Sequence, residues 1–193
     1  MEGLLKAFIT LFVVMDPIGS LPIFTSLTKG MPLVEVKKNV NRSVLVAGIL
    51  MFVFLFLGVQ IFDFFGISIG SFRIAGGIIL LIFGILFVFG MSGKFMKSHD
   101  GDLSIPIGTP LLTGPGVITT IVILATENGP QVTIIAALLT LAATWIILMN
   151  SSRIYKILGV HWTNIISRVM GIILTAVAVE FIKKGILDIV KIQ

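Results

Sequence analysis

Cysteine is absent from the chain, which excludes disulfides and thiolate metal sites. Histidine occurs only at His99 and His161, far apart in sequence and both in segments that read as loops, so no metal-ligand cluster is visible. Charge is scarce as well: 12% of residues are Asp, Glu, Lys or Arg, against about 25% in an ordinary soluble domain. The fingerprint GxxxxGK[ST] of a phosphate-binding loop does not occur, which removes the sequence signature of an ATP-driven machine. The basic excess, 14 Lys and Arg against 9 acids, reads as loop charge at a membrane surface and not as a nucleic-acid interface.

Apolar residues are what the chain has in quantity. Hydrophobic residues make up 56% and the mean hydropathy is +1.13. Charge-free runs cover Ser43–Phe62, Ile74–Gly93, Leu103–Thr126 and Asn128–Ser152. Each reaches the roughly 20 residues that a spanning helix needs. Gly3–Thr28 reads as a further span interrupted by Asp16, and Arg168–Leu187 as the sixth. Stretches such as "LMFVFLFLGVQIF" are apolar on every side and lack the alternation of a barrel strand. The first span is too long for a cleavable leader and has no small-residue cleavage pattern. The expected class is therefore an all-α integral membrane protein with six transmembrane helices. Lys29, Lys37, Lys38, Arg42, Lys94, Lys97, Arg153, Lys156 and Arg168 fall on one side of such a bundle. Lys6, Arg73, Lys183, Lys184 and Lys191 fall on the other. The larger set marks the cytoplasmic face, which puts both termini outside.

A weak internal repeat runs through the chain. "DPIGSLPIF" around Pro17 is matched by "TGPGVITTI" around Pro115, and each proline is followed 15 residues later by another, Pro32 and Pro130. "RIAGGIIL" from Arg73 is matched by "RVMGIIL" from Arg168. The first pair is offset by 98 residues and the second by 95. Three helices per half make the second half enter the membrane from the opposite side. The expectation is a 3+3 inverted repeat in one membrane domain, 1–193: a first half 1–93, a linker 94–103 and a second half 104–193. Such repeats place their sites near the midplane, on discontinuous helices.

Helices 1 and 4 carry the breaks. Proline removes a backbone donor and clashes with the preceding turn, and glycine loosens the backbone further. Pro17 and Gly19 should interrupt helix 1, and Pro115 and Gly116 helix 4. The freed polar groups cannot face lipid. A half-helix that starts at a break suits an anion and one that stops there suits a cation, so two crossed breaks match a zwitterion such as an amino acid. Asp16, in mid-span, is the sharpest candidate: a partner for a substrate ammonium, a coupling-cation ligand or a proton carrier. Asp before Pro-x-Gly is also a good helix cap, and the two roles are compatible. Ser20, Thr113, Gly114, Thr119, Thr120 and Asn150 complete the candidate substrate site with small or polar side chains. Arg73 and Arg168 read as interfacial anchors that snorkel to head groups, with a gate or an ion pair, such as Arg73 with Asp63, as the alternative. Glu180 stands at ion-pair spacing from Lys183 and Lys184. Asp100 and Asp102 in the linker could hold a cation.

"VVMDPIGSLPIF", "FGISIGSFRIAGGIIL", "PLLTGPGVIT" and "SRVMGIILTAVAVEFIKKGILDIV" together resemble the MarC/SnatA family of six-helix membrane proteins, grouped with the LysE-type exporters. The resemblance covers about residues 3 to 190 apart from the linker. It implies a multi-pass protein of a prokaryotic cell membrane that transports small neutral amino acids such as glycine, alanine, serine or threonine. It places the site at the breaks in helices 1 and 4: Asp16, Pro17, Gly19 and Ser20 from the first half, Thr113, Gly114, Pro115 and Gly116 from the second. No cofactor or catalytic group is implied, and coupling to H+ or Na+ is left open. The expected partners are a small neutral amino acid and the lipid bilayer. Direction of transport and oligomeric state are not legible.

Three rivals are weaker. A membrane hydrolase needs a second acid at the depth of Asp16, or a Ser with a His base. A cation or metal exporter needs more acids or soft ligands in the spans. A purely structural protein has no use for two matched breaks. An exporter of another small solute or cation, of the LysE type, stands as the alternative.

Overall fold

The computed structural model describes residues 2–21, 24, 25, 28, 30–91, 112 and 114–191. Among them every regular element is a helix: α1 (Glu2–Met15), α2 (Leu33–Phe65), α3 (Ile69–Val88), α4 (Pro115–Asn128), α5 (Pro130–Met149) and α6 (Ser151–Lys191). Four helices are long and apolar enough to cross a membrane: α2, α3, α5 and the His161–Val190 part of α6. The other two, α1 and α4, have 14 residues each. At 1.5 Å per residue that is about 21 Å, short of the roughly 30 Å of bilayer hydrocarbon.

Local chemistry sets the ends. Pro32 sits at the N-cap of α2 and cannot continue a preceding helix. Gly66, at φ 66°, closes α2 by donating to the Asp63 carbonyl while Ile67 N–H reaches Phe62 O at 2.8 Å. A side chain at that φ would be strained. Ser68 then caps α3 by accepting from Ser71 N–H at 3.1 Å. A single residue, Gly129 at φ 81°, turns α4 into α5. Both new helices, α4 and α5, start on a proline, whose missing N–H is no loss in a first turn.

Two expectations need correcting. The sixth helix is far longer than Arg168–Leu187, because the polar residues around Lys156 and His161 continue helically beyond the apolar run. It is broken instead at Gly159 (φ 70°, ψ 171°). His161 therefore lies in a helix, on its exposed side, and not in a loop. Likewise α2 begins before Ser43, its first turns carrying Glu35, Lys37, Lys38 and Arg42. His99, Asp100, Asp102 and the 94–103 linker lie outside the described residues.

The helices form two packed groups. Helices α3 and α6 run antiparallel along a seam of small residues. Gly70 faces Gly185, Gly77 faces Ala178 and Gly84 faces Gly171, seven residues apart on both helices. Side chains there would collide with the opposite backbone: a Cβ on Gly77 would come within 2.9 Å of Ala178 O, and one on Gly185 within 2.7 Å of Gly70 O. Small residues let membrane helices approach this closely where no hydrophobic drive acts between them.

Helices α1, α2, α4 and α5 share a separate core. It joins Ala7, Leu11 and Met15 of α1 to Met51 of α2, Ile121 of α4, and Ala136 and Leu148 of α5. Gly58 lets α2 approach Val122 of α4, and Gly48 lets it approach Leu141 of α5. A smaller buried cluster, Leu80, Ile123, Leu174, Ala178 and Phe181, joins α4 to the α3–α6 pair.

The ends sort onto two faces. Gly3 at the start of α1 abuts the Asn128 side chain at the end of α4. Arg73 near the start of α3 meets Glu127 and Asp188 near the ends of α4 and α6. The start of α1 and the end of α6 therefore lie on one face, the termini face. On the other, Trp145 Nε1 near the end of α5 donates to Asn41 Oδ1 near the start of α2 at 2.8 Å.

Candidate functional site

The first span does break at Asp16. Met15 ends α1, and Asp16 takes φ 40°, the one non-glycine residue with positive φ among those described. The left-handed region costs an ordinary L residue about 1–2 kcal/mol, and Asp tolerates it because its short carboxylate can bond locally. Here the carboxylate does so: Gly19 N–H donates to Asp16 Oδ1 at 3.0 Å. Pro17 has no N–H to return to the carbonyl of Val13. Helical bonding then resumes, Ser20 N–H and Oγ both donating to Asp16 O at 3.1 and 2.9 Å, and Phe24 N–H to Ser20 O at 2.9 Å. Asp16 is therefore the cap of the second half-helix as well as the residue in the break.

The side chain is almost wholly buried, 3% exposed, and Oδ2 has no hydrogen-bond partner among the described residues. Gly19 is small for a specific reason: a Cβ there would land on the Asp16 carboxylate.

In the second half, α4 begins at Pro115 with Gly114 as its cap, and no side chain caps it. Gly114 O accepts from Val117 N–H at 3.0 Å. Gly116 is buried against Leu80 and Val14, and a side chain there would displace Leu80. The start of α4 meets the break that follows α1. One cavity of about 40 Å3 is lined by Val14, Met15 and Asp16 on one side and by Leu112, Gly114, Gly116 and Val117 on another, with Leu80, Phe83, Phe87 and Leu174 closing it. The stopping end of α1 and the starting end of α4 thus face a common space, with opposite dipole ends and one carboxylate.

The candidates divide accordingly. Asp16, Gly114 and Gly116 line the cavity, while Pro17, Gly19 and Ser20 are buried in the turn behind it. Thr120 is buried, but its hydroxyl donates to Gly116 O at 2.7 Å, back along its own helix. Thr119 is buried against Gly76 of α3, at the seam between α4 and the α3–α6 pair. Asn150 caps the end of α5 and donates to Ile146 O at 2.8 Å, away from the cavity lining. Thr113 lies outside the described residues, as does the side chain of Pro115. No group of three or more potential ligands for a metal occurs among the described residues.

Two features were not foreseen. The apolar wall of the cavity comes from α3 and α6, and the available signal was small residues at seven-residue spacing, Gly70, Gly77 and Gly84 on α3 and Gly171, Ala178 and Gly185 on α6. Arg73 does not pair with Asp63. It binds Glu127 at 3.0 Å and Asp188 at 2.8 Å, and Lys184 also reaches Glu127, at 3.1 Å. Glu180 pairs with Lys183 at 3.2 Å, as its spacing suggested.

Unbroken apolar helices around a polar interruption, with apolar side chains exposed along α2, α3, α5 and α6, define a multi-pass helical membrane protein. The chain belongs to the MarC family of integral membrane proteins, whose family model matches residues 1–190. It is 33% identical to a UPF0056 membrane protein of Archaeoglobus fulgidus, over 94% of this chain and 91% of that one. It is 35% identical to the UPF0056 membrane protein PH0760 of Pyrococcus horikoshii, over 91% and 90%. It is 33% identical to the UPF0056 inner membrane protein YhgN of Escherichia coli K12, over 96% and 97%. No solved structure matches the chain.

Proposed function

We propose that this protein is a secondary transporter of small neutral amino acids, among them glycine, alanine, serine and threonine, working by alternating access around the cavity between the two helix breaks. The observation that carries the reading is the buried Asp16 carboxylate, with one oxygen unpartnered among the described residues, lining the same space as the uncapped start of α4. An ammonium group suits Asp16 and a carboxylate suits the helix start. The apolar wall of Leu80, Phe83 and Leu174 leaves no partner for a charged substrate side chain.

The neighbour pattern supports an inverted repeat. If α1, α2 and α3 exchange with α4, α5 and α6, the packed pairs α1–α4, α2–α5 and α3–α6 map onto themselves, and α1–α5 maps onto α2–α4, whereas α4–α5 has no packed α1–α2 counterpart among the described residues. A pseudo-twofold axis in the membrane plane requires such a pattern. The cavity volume of about 40 Å3 has room for water and lies far below the few hundred Å3 of ordinary ligand pockets. Substrate entry thus requires the α3–α6 wall to move away from the breaks. Asp16 is also the group through which H+ or Na+ would couple.

Counterflow in proteoliposomes tests the reading. Labelled glycine, alanine or threonine should accumulate transiently against a preloaded unlabelled pool, with leucine and lysine inactive. Absence of counterflow for all three substrates refutes the amino-acid reading. Uptake of a different small solute or cation would favour the alternative, an exporter of the LysE type.

A further inference from the structure

Glu127 was singled out by no motif, yet it is the acid on which two cations converge. Its Oε1 accepts from Arg73 Nη2 at 3.0 Å and from Lys184 Nζ at 3.1 Å. Glu127 belongs to α4 and so to the four-helix group, whereas Arg73 and Lys184 belong to the α3–α6 pair. Asp188, the other partner of Arg73, lies within that pair. The Glu127 contacts are therefore the ionic bonds that bridge the two groups among the described residues. The Arg73 contact is the shielded one, its side chains being 11% and 26% exposed, so solvent and salt screen it less than a surface pair; Lys184, 32% exposed, stands at the outer edge.

Their position matters. Glu127 lies 12 residues beyond Pro115 on α4, about 18 Å toward the face that carries both termini. Between it and the cavity the wall is shut by Thr119 on Gly76 and by buried Ile123 and Phe181.

We infer that Glu127 is a latch that holds the α3–α6 pair against the four-helix group and closes the cavity toward the face bearing the termini. The inference rests on the transport reading of the cavity and adds its sidedness. The repeat makes the latch one-sided. Shifted by 98 residues, the position of Glu127 is occupied by Lys29, and shifted by 95 residues those of Arg73 and Asp188 are occupied by Arg168 and Gly93. In sequence, therefore, the other half has two cations and no acid at the corresponding positions, so the Glu127 arrangement has no counterpart there. Breaking the latch exposes the cavity on the termini face alone.

The cysteine-free chain allows a clean test. Val117, which lines the cavity, is replaced by Cys as the only thiol, and its labelling by a membrane-impermeant maleimide is timed in vesicles of both orientations. Glu127→Gln should raise the rate about tenfold or more in the orientation that exposes the termini, and leave the other unchanged. The charge exchange Glu127→Lys with Lys184→Glu should return it toward the parent rate. An unchanged rate in folded Glu127→Gln, or an equal rise from both sides, overturns the latch. If that variant does not fold, Lys184→Gln is judged by the same criteria. The assay reads accessibility and not flux, so failed amino-acid counterflow would refute the proposed substrate without deciding the latch.

Discussion

Asp16→Asn separates the charge of this residue from its structural role. Asn tolerates the left-handed backbone that Asp16 adopts at φ 40°, and its amide oxygen can still accept from Gly19 N–H, now 3.0 Å from Oδ1. The turn and the second half-helix should survive, with a stability change below about 1 kcal/mol. The charge is lost. Removing one member of a buried, hydrogen-bonded charge pair costs about 2–5 kcal/mol of affinity, or at least roughly thirtyfold in half-saturation at 1.4 kcal/mol per decade. Gly19→Ala makes the complementary change: the charge stays, but the new methyl occupies the place of the carboxylate. The carboxylate must swing away and lose the Gly19 bond, worth about 1.5–3 kcal/mol for a charged acceptor. The measurements are alanine counterflow in proteoliposomes and thermal unfolding in detergent. Asp16→Asn should unfold like the parent and transport poorly; Gly19→Ala should do both worse. A folded Asp16→Asn protein with parental half-saturation would refute the assignment of Asp16 to substrate.

Other substitutions separate cavity from scaffold. Thr120→Val should keep counterflow and lose no more than about 1 kcal/mol, because the Thr120 hydroxyl is bonded to Gly116 O of its own helix; loss of transport in a stable variant would make Thr120 a ligand. Asn150→Ala should leave substrate affinity unchanged, since Asn150 caps α5 outside the cavity lining, and a saturation curve checks it. Gly77→Leu should split the α3–α6 seam, where even a Cβ would press on Ala178 O and Ile182. A loss of more than about 3 kcal/mol, or aggregation on size-exclusion chromatography, is expected.

Much of the fold is legible from where charge is missing. A chain that cannot leave backbone groups bare in lipid has few options besides helices, so the uncharged runs announce α2, α3 and α5 directly. The same rule misplaces the ends. A helix does not stop where hydrophobicity does: α2 runs through Lys37 and Arg42, and α6 is helical through Lys156 before its break at Gly159 and through His161 after it. The true stops are backbone events, Gly66 and Gly159 at positive φ, which apolar counting does not see.

The site divides along the same line. Asp16, Gly114 and Gly116 are visible because a carboxylate and helix breakers are anomalous in apolar sequence, and the structure brings them to one cavity. Threonines are poor pointers by contrast. A hydroxyl in a membrane helix can bond its own backbone, as Thr120, Thr140 and Thr175 do with the carbonyl four residues earlier, so polarity alone does not mark a ligand. Glu127 is hidden for the opposite reason. Between the apolar run of α4 and the turn at Gly129 it looks like any interfacial charge, and its partners stand 54 and 57 residues away in sequence. Ion pairs between groups of helices become readable only when the packing of those groups is known. The α3–α6 glycine seam supplies that packing: it sets Arg73 of α3 against Gly185 of α6, from where its guanidinium reaches both Asp188 of α6 and Glu127 of α4.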